Sequence, residues 1–100
     1  MTKELYRYVF SPTAPIEEVE ASLLLAVLAT ESLHGECQTR LDAAHYFEPT
    51  KRACVIDAGT PVGQDLNRLF TGFLNGEFGP DAFTVERVED EIPKKQEATA

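Results

Sequence analysis

Two cysteines in 100 residues, Cys37 and Cys54, are too few to frame a disulfide-stapled fold. Positive charge is scarce as well: nine Lys and Arg stand against seventeen Asp and Glu, for a net charge of −8 and a pI near 4.6. Such a chain is repelled at long range by nucleic acid and by anionic membrane, so neither is an expected partner. Long apolar runs are missing. The longest, LLLAVLA at 23–29, falls well short of the roughly 20 residues that span a bilayer. The opening MTKELYRYVF carries charges and no long apolar core, so it does not read as a secretory leader. Together these absences point to a protein of a reducing compartment, and the expected location is cytoplasmic.

What is present suits one modest domain. The hydrophobic fraction is 43%, ordinary for a globular chain. ELYRYVF (4–10) is rich in aromatic and β-branched residues and stops at Ser11-Pro12, which predicts a strand. Pro15, Glu17 and Glu18 then suit a first helical turn. Apolar positions recur at helical spacing through Ile16, Val19, Leu23, Ala26, Val27, Thr30 and Leu33, and Gly35 supplies a stop.

QTRLDAAHYF (38–47) returns to period two and predicts a second strand, with Leu41, Ala43, His45 and Phe47 on one face. EPTK (48–51) is a turn, and RACVIDA (52–58) the returning strand. The expected register sets Phe47 against Arg52, His45 against Cys54, Ala43 against Ile56 and Asp42 against Asp57. Thr60 and Pro61 open a second helix with a stripe of Val62, Leu66, Leu69, Phe70 and Phe73, closed by Gly76 and Gly79-Pro80. AFTVERVE (82–89) predicts a last strand. The domain is expected to span 1–90, with 91–100 as a charged, disordered tail.

The order strand, helix, strand, strand, helix, strand resembles the ferredoxin-like βαββαβ arrangement. This is an α+β fold whose right-handed crossovers put two helices on one face of a four-stranded antiparallel sheet. The resemblance is to a superfold and carries no function by itself.

Four places could hold chemistry or a partner. DAGTPVGQ has Gly59 and Gly63 near a helix start, as an anion-binding turn requires, but lacks the Gly-Lys-Ser/Thr ending of a phosphate loop. Pro61 removes one amide, and Gly59, Thr60 and Pro61 are each explained by a strand-to-helix turn with a cap. His45 and Cys54 are expected neighbours on the inward face, where packing explains them better than a thiolate–imidazole pair. Arg40, Asp42 and Asp57, with Arg7, Thr84 and Glu86, are expected on the open sheet face, as a solvated ion network or a small polar-ligand site. That face lacks the aromatic and basic run of an RNA-recognition sheet, which argues against RNA. Ala21, Leu24, Leu25 and Leu28 fall outside the inward stripe of the first helix, and a cluster of exposed leucines marks a partner surface.

No combination of residues names a reaction, a metal site or a cofactor. The reading favours a non-enzymatic interaction module, acting as a homodimer or as a subunit of a larger assembly. The alternative is a small-ligand or anion-binding domain that uses Asp57, Gly59, Thr60 and Gly63, or the Arg40/Asp42 face.

Overall fold

The computed structural model describes residues 4–88. The expected tail at 91–100 and the outer ends of the expected 1–90 domain lie outside them. The fold is α+β: a four-stranded antiparallel sheet with three helices. In chain order the elements are β1 (Leu5–Phe10), α1 (Ile16–His34), α2 (Glu36–Asp42), β2 (Ala44–Glu48), β3 (Ala53–Asp57), α3 (Pro61–Phe78) and β4 (Phe83–Val88). The strands lie in the order β2-β3-β1-β4, so β3 separates β1 from β2 and β1 separates β3 from β4.

Residues alternate along β1. Tyr8 and Phe10 are buried, while Arg7 and Val9 are exposed between them. The buried set meets Cys54 and Ile56 of β3, Val19, Leu23 and Ala26 of α1, and Leu66, Phe70 and Leu74 of α3. Burying apolar surface at these positions is the main force holding helices to sheet. Tyr8 sits at the centre, its ring centroid 4.9 Å from that of Phe70. Its hydroxyl lies 2.8 Å from Thr71 Oγ1 and donates to Asn67 Oδ1, so α3 satisfies the Tyr8 hydroxyl that β1 sends into the core. Burial pushes the Tyr8 phenol up to about 12.

The strand expected over 38–47 is corrected. Residues 36–42 form α2, and β2 begins only at Ala44. Period two at Leu41, Ala43, His45 and Phe47 is real in the sequence, but helical interactions win over its first part. Arg40 pairs with Glu36 at 2.7 Å, one helical turn apart. The buried Thr39 donates its hydroxyl to Gly35 O at 2.8 Å. Gly35, at φ 89°, ends α1 and starts α2 in a conformation that glycine adopts without strain. Leu41, assigned inward by alternation, is 79% exposed, and Leu33 at the end of the α1 stripe is exposed too.

The hairpin register is corrected by two residues: Phe47 pairs with Cys54, His45 with Ile56, and Ala44 with Asp57. The cause is Arg52. It takes a left-handed conformation, φ 53°, closing the turn after Pro49–Lys51, and so belongs to the loop. Its side chain crosses to the β1–α1 connection, donating to Ser11 O at 2.6 Å and to Ala14 O. A displacement of two preserves the faces, since side chains alternate with period two.

Candidate functional site

The turn from β3 into α3 satisfies its own amides. Asp57 Oδ1 accepts from Gly59 N at 2.9 Å, and Thr60 Oγ1 accepts from Gly63 N at 3.0 Å. The Thr60 hydroxyl donates to Asp42 O at 2.7 Å, tying the end of α2 to the start of α3. Two of the amides an anion would use are therefore occupied, and an acidic side chain stands beside them. Gly63 has a reason that sequence reasoning missed: a Cβ there would lie 2.1 Å from Asp57 O. The glycine lets the first turn of α3 press against the last carbonyl of β3. The spacing DAGTPVGQ does not specify that approach; its one local sign is a glycine kept within a helix start, where glycine is unfavourable without a packing reason.

The structure scatters the expected ion network. Arg40 and Asp42 lie on α2 and not on the open sheet face, and Asp57 stands opposite Ala44 and Leu5 in place of Asp42. The like-charge pair is thereby removed. What the sheet face of Arg7 does carry is a cross-strand row of Tyr46, Val55, Arg7 and Glu86. Beside it, Leu5, Ala44, His45, Tyr46, Val55 and Asp57 line a shallow depression of about 200 Å³. Tyr46 is 64% exposed there.

His45 and Cys54 are not paired. Cys54 is buried, and burial pushes its thiol up to about 12, which removes the thiolate a nucleophile needs. His45 is exposed, with partial desolvation lowering its pKa from the ordinary value. His34, in the last turn of α1, reaches α3: its Nε2 lies 2.7 Å from Asp65 Oδ2. Among the described residues no group of three or more His, Cys, Asp or Glu converges as a metal site would require.

The outer side of α1 carries exposed apolar side chains on successive turns. Leu24, Leu25 and Leu28 are 57%, 58% and 58% exposed, and Ala21 is exposed beside them. Neither α2 nor α3 covers them. No helix among the described residues is long and apolar enough to cross a membrane.

No protein-family model, curated protein or solved structure matches this chain.

Proposed function

We propose that this chain is a non-enzymatic interaction module, working as a homodimer or as a subunit of a larger cytoplasmic assembly. One observation carries the reading: α1 buries one side in the core and still presents Leu24, Leu25 and Leu28 to solvent on another. A contiguous exposed leucine cluster is a surface that association covers. The free thiols, Cys37 exposed and Cys54 buried, suit a reducing location.

The scaffold of this module is ferredoxin-like, with α2 as an addition to βαββαβ. Two features support that reading. β1 and β2 are separated by β3 while β1 lies between β3 and β4, which is the interleaving that a split βαβ pair produces. Core side chains of α1 and α3 also meet the same alternate set of strand residues, Tyr8, Phe10, Cys54 and Ile56. The helices then form one layer, and the opposite sheet face is open.

Magnitudes limit what the leucines do alone. Fully burying one leucine is worth about 2 kcal/mol, and these three are already partly covered, leaving about 3–4 kcal/mol in all. Lost translational and rotational freedom costs about 4 kcal/mol or more. A stable complex therefore draws on further contacts, and the open sheet face, with Val9, Tyr46 and Val55, is one source of them.

Sedimentation equilibrium tests the homodimer arm. A wild-type dimer at tens of micromolar, converted to monomer by Leu24→Glu with Leu28→Glu while the melting temperature holds, is the expected result for self-association. A wild-type monomer whose mass the substitutions leave unchanged removes the homodimer and retains the heteromeric subunit.

A second reading is favoured by the depression around His45, Tyr46 and Asp57, which offers an aromatic wall and two polar groups to a small ligand. It requires a metabolite that raises the melting temperature of the wild type and not of Tyr46→Ala.

A further inference from the structure

The apolar cluster on α1 is framed by acid. With about 100° of rotation per residue, Ala21, Leu24, Leu25 and Leu28 lie on the arc opposite Val19, Leu23, Ala26 and Thr30, which face the core. Glu17 and Glu20 flank this arc toward the N-terminus of α1, and Glu31 flanks it toward the C-terminus. α1 contains no Lys or Arg. Its one basic group, His34, is engaged by Asp65 at 2.7 Å. Among the described residues none of Glu17, Glu18, Glu20 and Glu31 has an ion-pair partner.

That framing decides between occupants. A second copy laid parallel on α1 sets Glu17, Glu20 and Glu31 against themselves. Laid antiparallel, it sets Glu17 and Glu20 of one copy against the Glu31 end of the other. In both cases carboxylates gather around the seam with no cation between them, and like charges across a helix pair oppose association. A helix with apolar residues on one face and Lys or Arg at its flanks meets no such penalty. It fills the seam and neutralises both ends, and the net charge of −8 draws it in.

Building on the interaction-module reading, we infer that the outer face of α1 docks a basic amphipathic helix of a different protein. Apolar side chains of that helix cover Leu24, Leu25 and Leu28, and its cations lie against Glu17, Glu20 and Glu31.

The test uses the whole chain and three fluorescein-labelled peptides about 18 residues long, enough for five helical turns. One carries leucines on a single face with lysine flanks. The second keeps the leucines and replaces the lysines by glutamates. The third scrambles the first, keeping its charge and destroying its face. Anisotropy titrations should show saturable binding of the first, at least about tenfold tighter than either other peptide. Leu24→Glu with Leu28→Glu should weaken it by a similar factor, and Glu17→Gln with Glu20→Gln and Glu31→Gln should weaken it and flatten its salt dependence. Leu24→Ala with Leu28→Ala replaces the glutamate pair if that pair melts early. Equal binding of the lysine and glutamate peptides, binding by the scrambled peptide as tight as by the first, or binding indifferent to the leucines overturns the inference. If no peptide binds but the chain dimerises through α1, this inference fails and the interaction module stands. If neither a peptide nor a second copy engages α1, both fail.

Discussion

The two long helices treat their inner sides alike and their outer sides differently. α3 buries Val62, Leu66, Phe70 and Leu74 and turns Gln64, Arg68, Gly72, Asn75 and Gly76 to solvent. α1 buries Val19, Leu23, Ala26 and Thr30 and turns Leu24, Leu25 and Leu28 to solvent. Folding of the monomer needs only the inner stripe of each, because that is the stripe that leaves water when the sheet forms. On the proposed reading, the second apolar side, present on α1 and absent from α3, serves a partner that α1 meets after folding.

The largest effects should separate the inner from the outer sides. Leu66→Ala and Leu74→Ala each remove a fully buried side chain, and should cost about 3–5 kcal/mol in denaturant unfolding. Leu28→Ala on the outer side of α1 should change monomer stability by less than about 0.5 kcal/mol. A large loss for Leu28→Ala would mean that α1 relies on its outer leucines to fold, and would erase the contrast.

Next in size is the start of α3. Gly63→Ala drives a methyl to within 2.1 Å of Asp57 O, backbone against backbone. It should destabilise by about 2–3 kcal/mol, in the range of overpacking. A neutral result would show that α3 does not press on the end of β3 as tightly as the structure has it.

The strand side of the core, against which α3 packs, also carries a titration signature. Tyr8 and Cys54 have pKa values raised by burial from 10.0 and 9.0 to about 12. For an acid with a raised folded value, the folded state holds the proton while the unfolded state releases it. Stability is therefore fully present below about pH 9 and is lost as pH rises from there toward 12. Tyr8→Phe should blunt that loss in unfolding curves collected from pH 8 upward. An alkaline loss of the same size in Tyr8→Phe and Cys54→Ala would assign it to other groups.

The smallest effect is a gain. A Cβ at Gly72 or Gly76 would meet nothing within 4 Å, so Gly76→Ala should stabilise α3 by about 0.5–1 kcal/mol through helix propensity. Loss of stability would reveal a partner backbone close to α3.

Much of this architecture could be read from periodicity, because long amphipathic segments and strands bounded by turn residues report a helix or strand directly. The bounds of α1, the cap and proline that open α3, and the four strands all rest on such local signals. α2 was hidden because Leu41, Ala43, His45 and Phe47 alternate across its end, although the Glu36–Arg40 spacing and Gly35 were the local marks of a helix. The register depended on one non-glycine residue, Arg52, adopting φ 53°, a choice fixed by its reach to the β1–α1 loop. No pattern within the hairpin encodes that distant acceptor. The same holds for His34 and Asp65, 31 positions apart, and for Gly63, whose neighbour is a carbonyl. The exposure of Leu24, Leu25 and Leu28 was legible from helical geometry, whereas Arg40 and Asp42 were misplaced because they belong to α2 and not to a strand, and the neighbour of Asp57 was missed with the register.

The most direct test of the α1 surface is an amide NMR titration of the labelled protein with the leucine–lysine peptide. Signals of residues 20–32 should shift saturably, centred on Leu24 and Leu28, while those of Arg7, Tyr46 and Val55 on the open sheet face stay fixed. Saturable shifts confined to the sheet face, or no shifts at peptide concentrations in the millimolar range, would contradict the account.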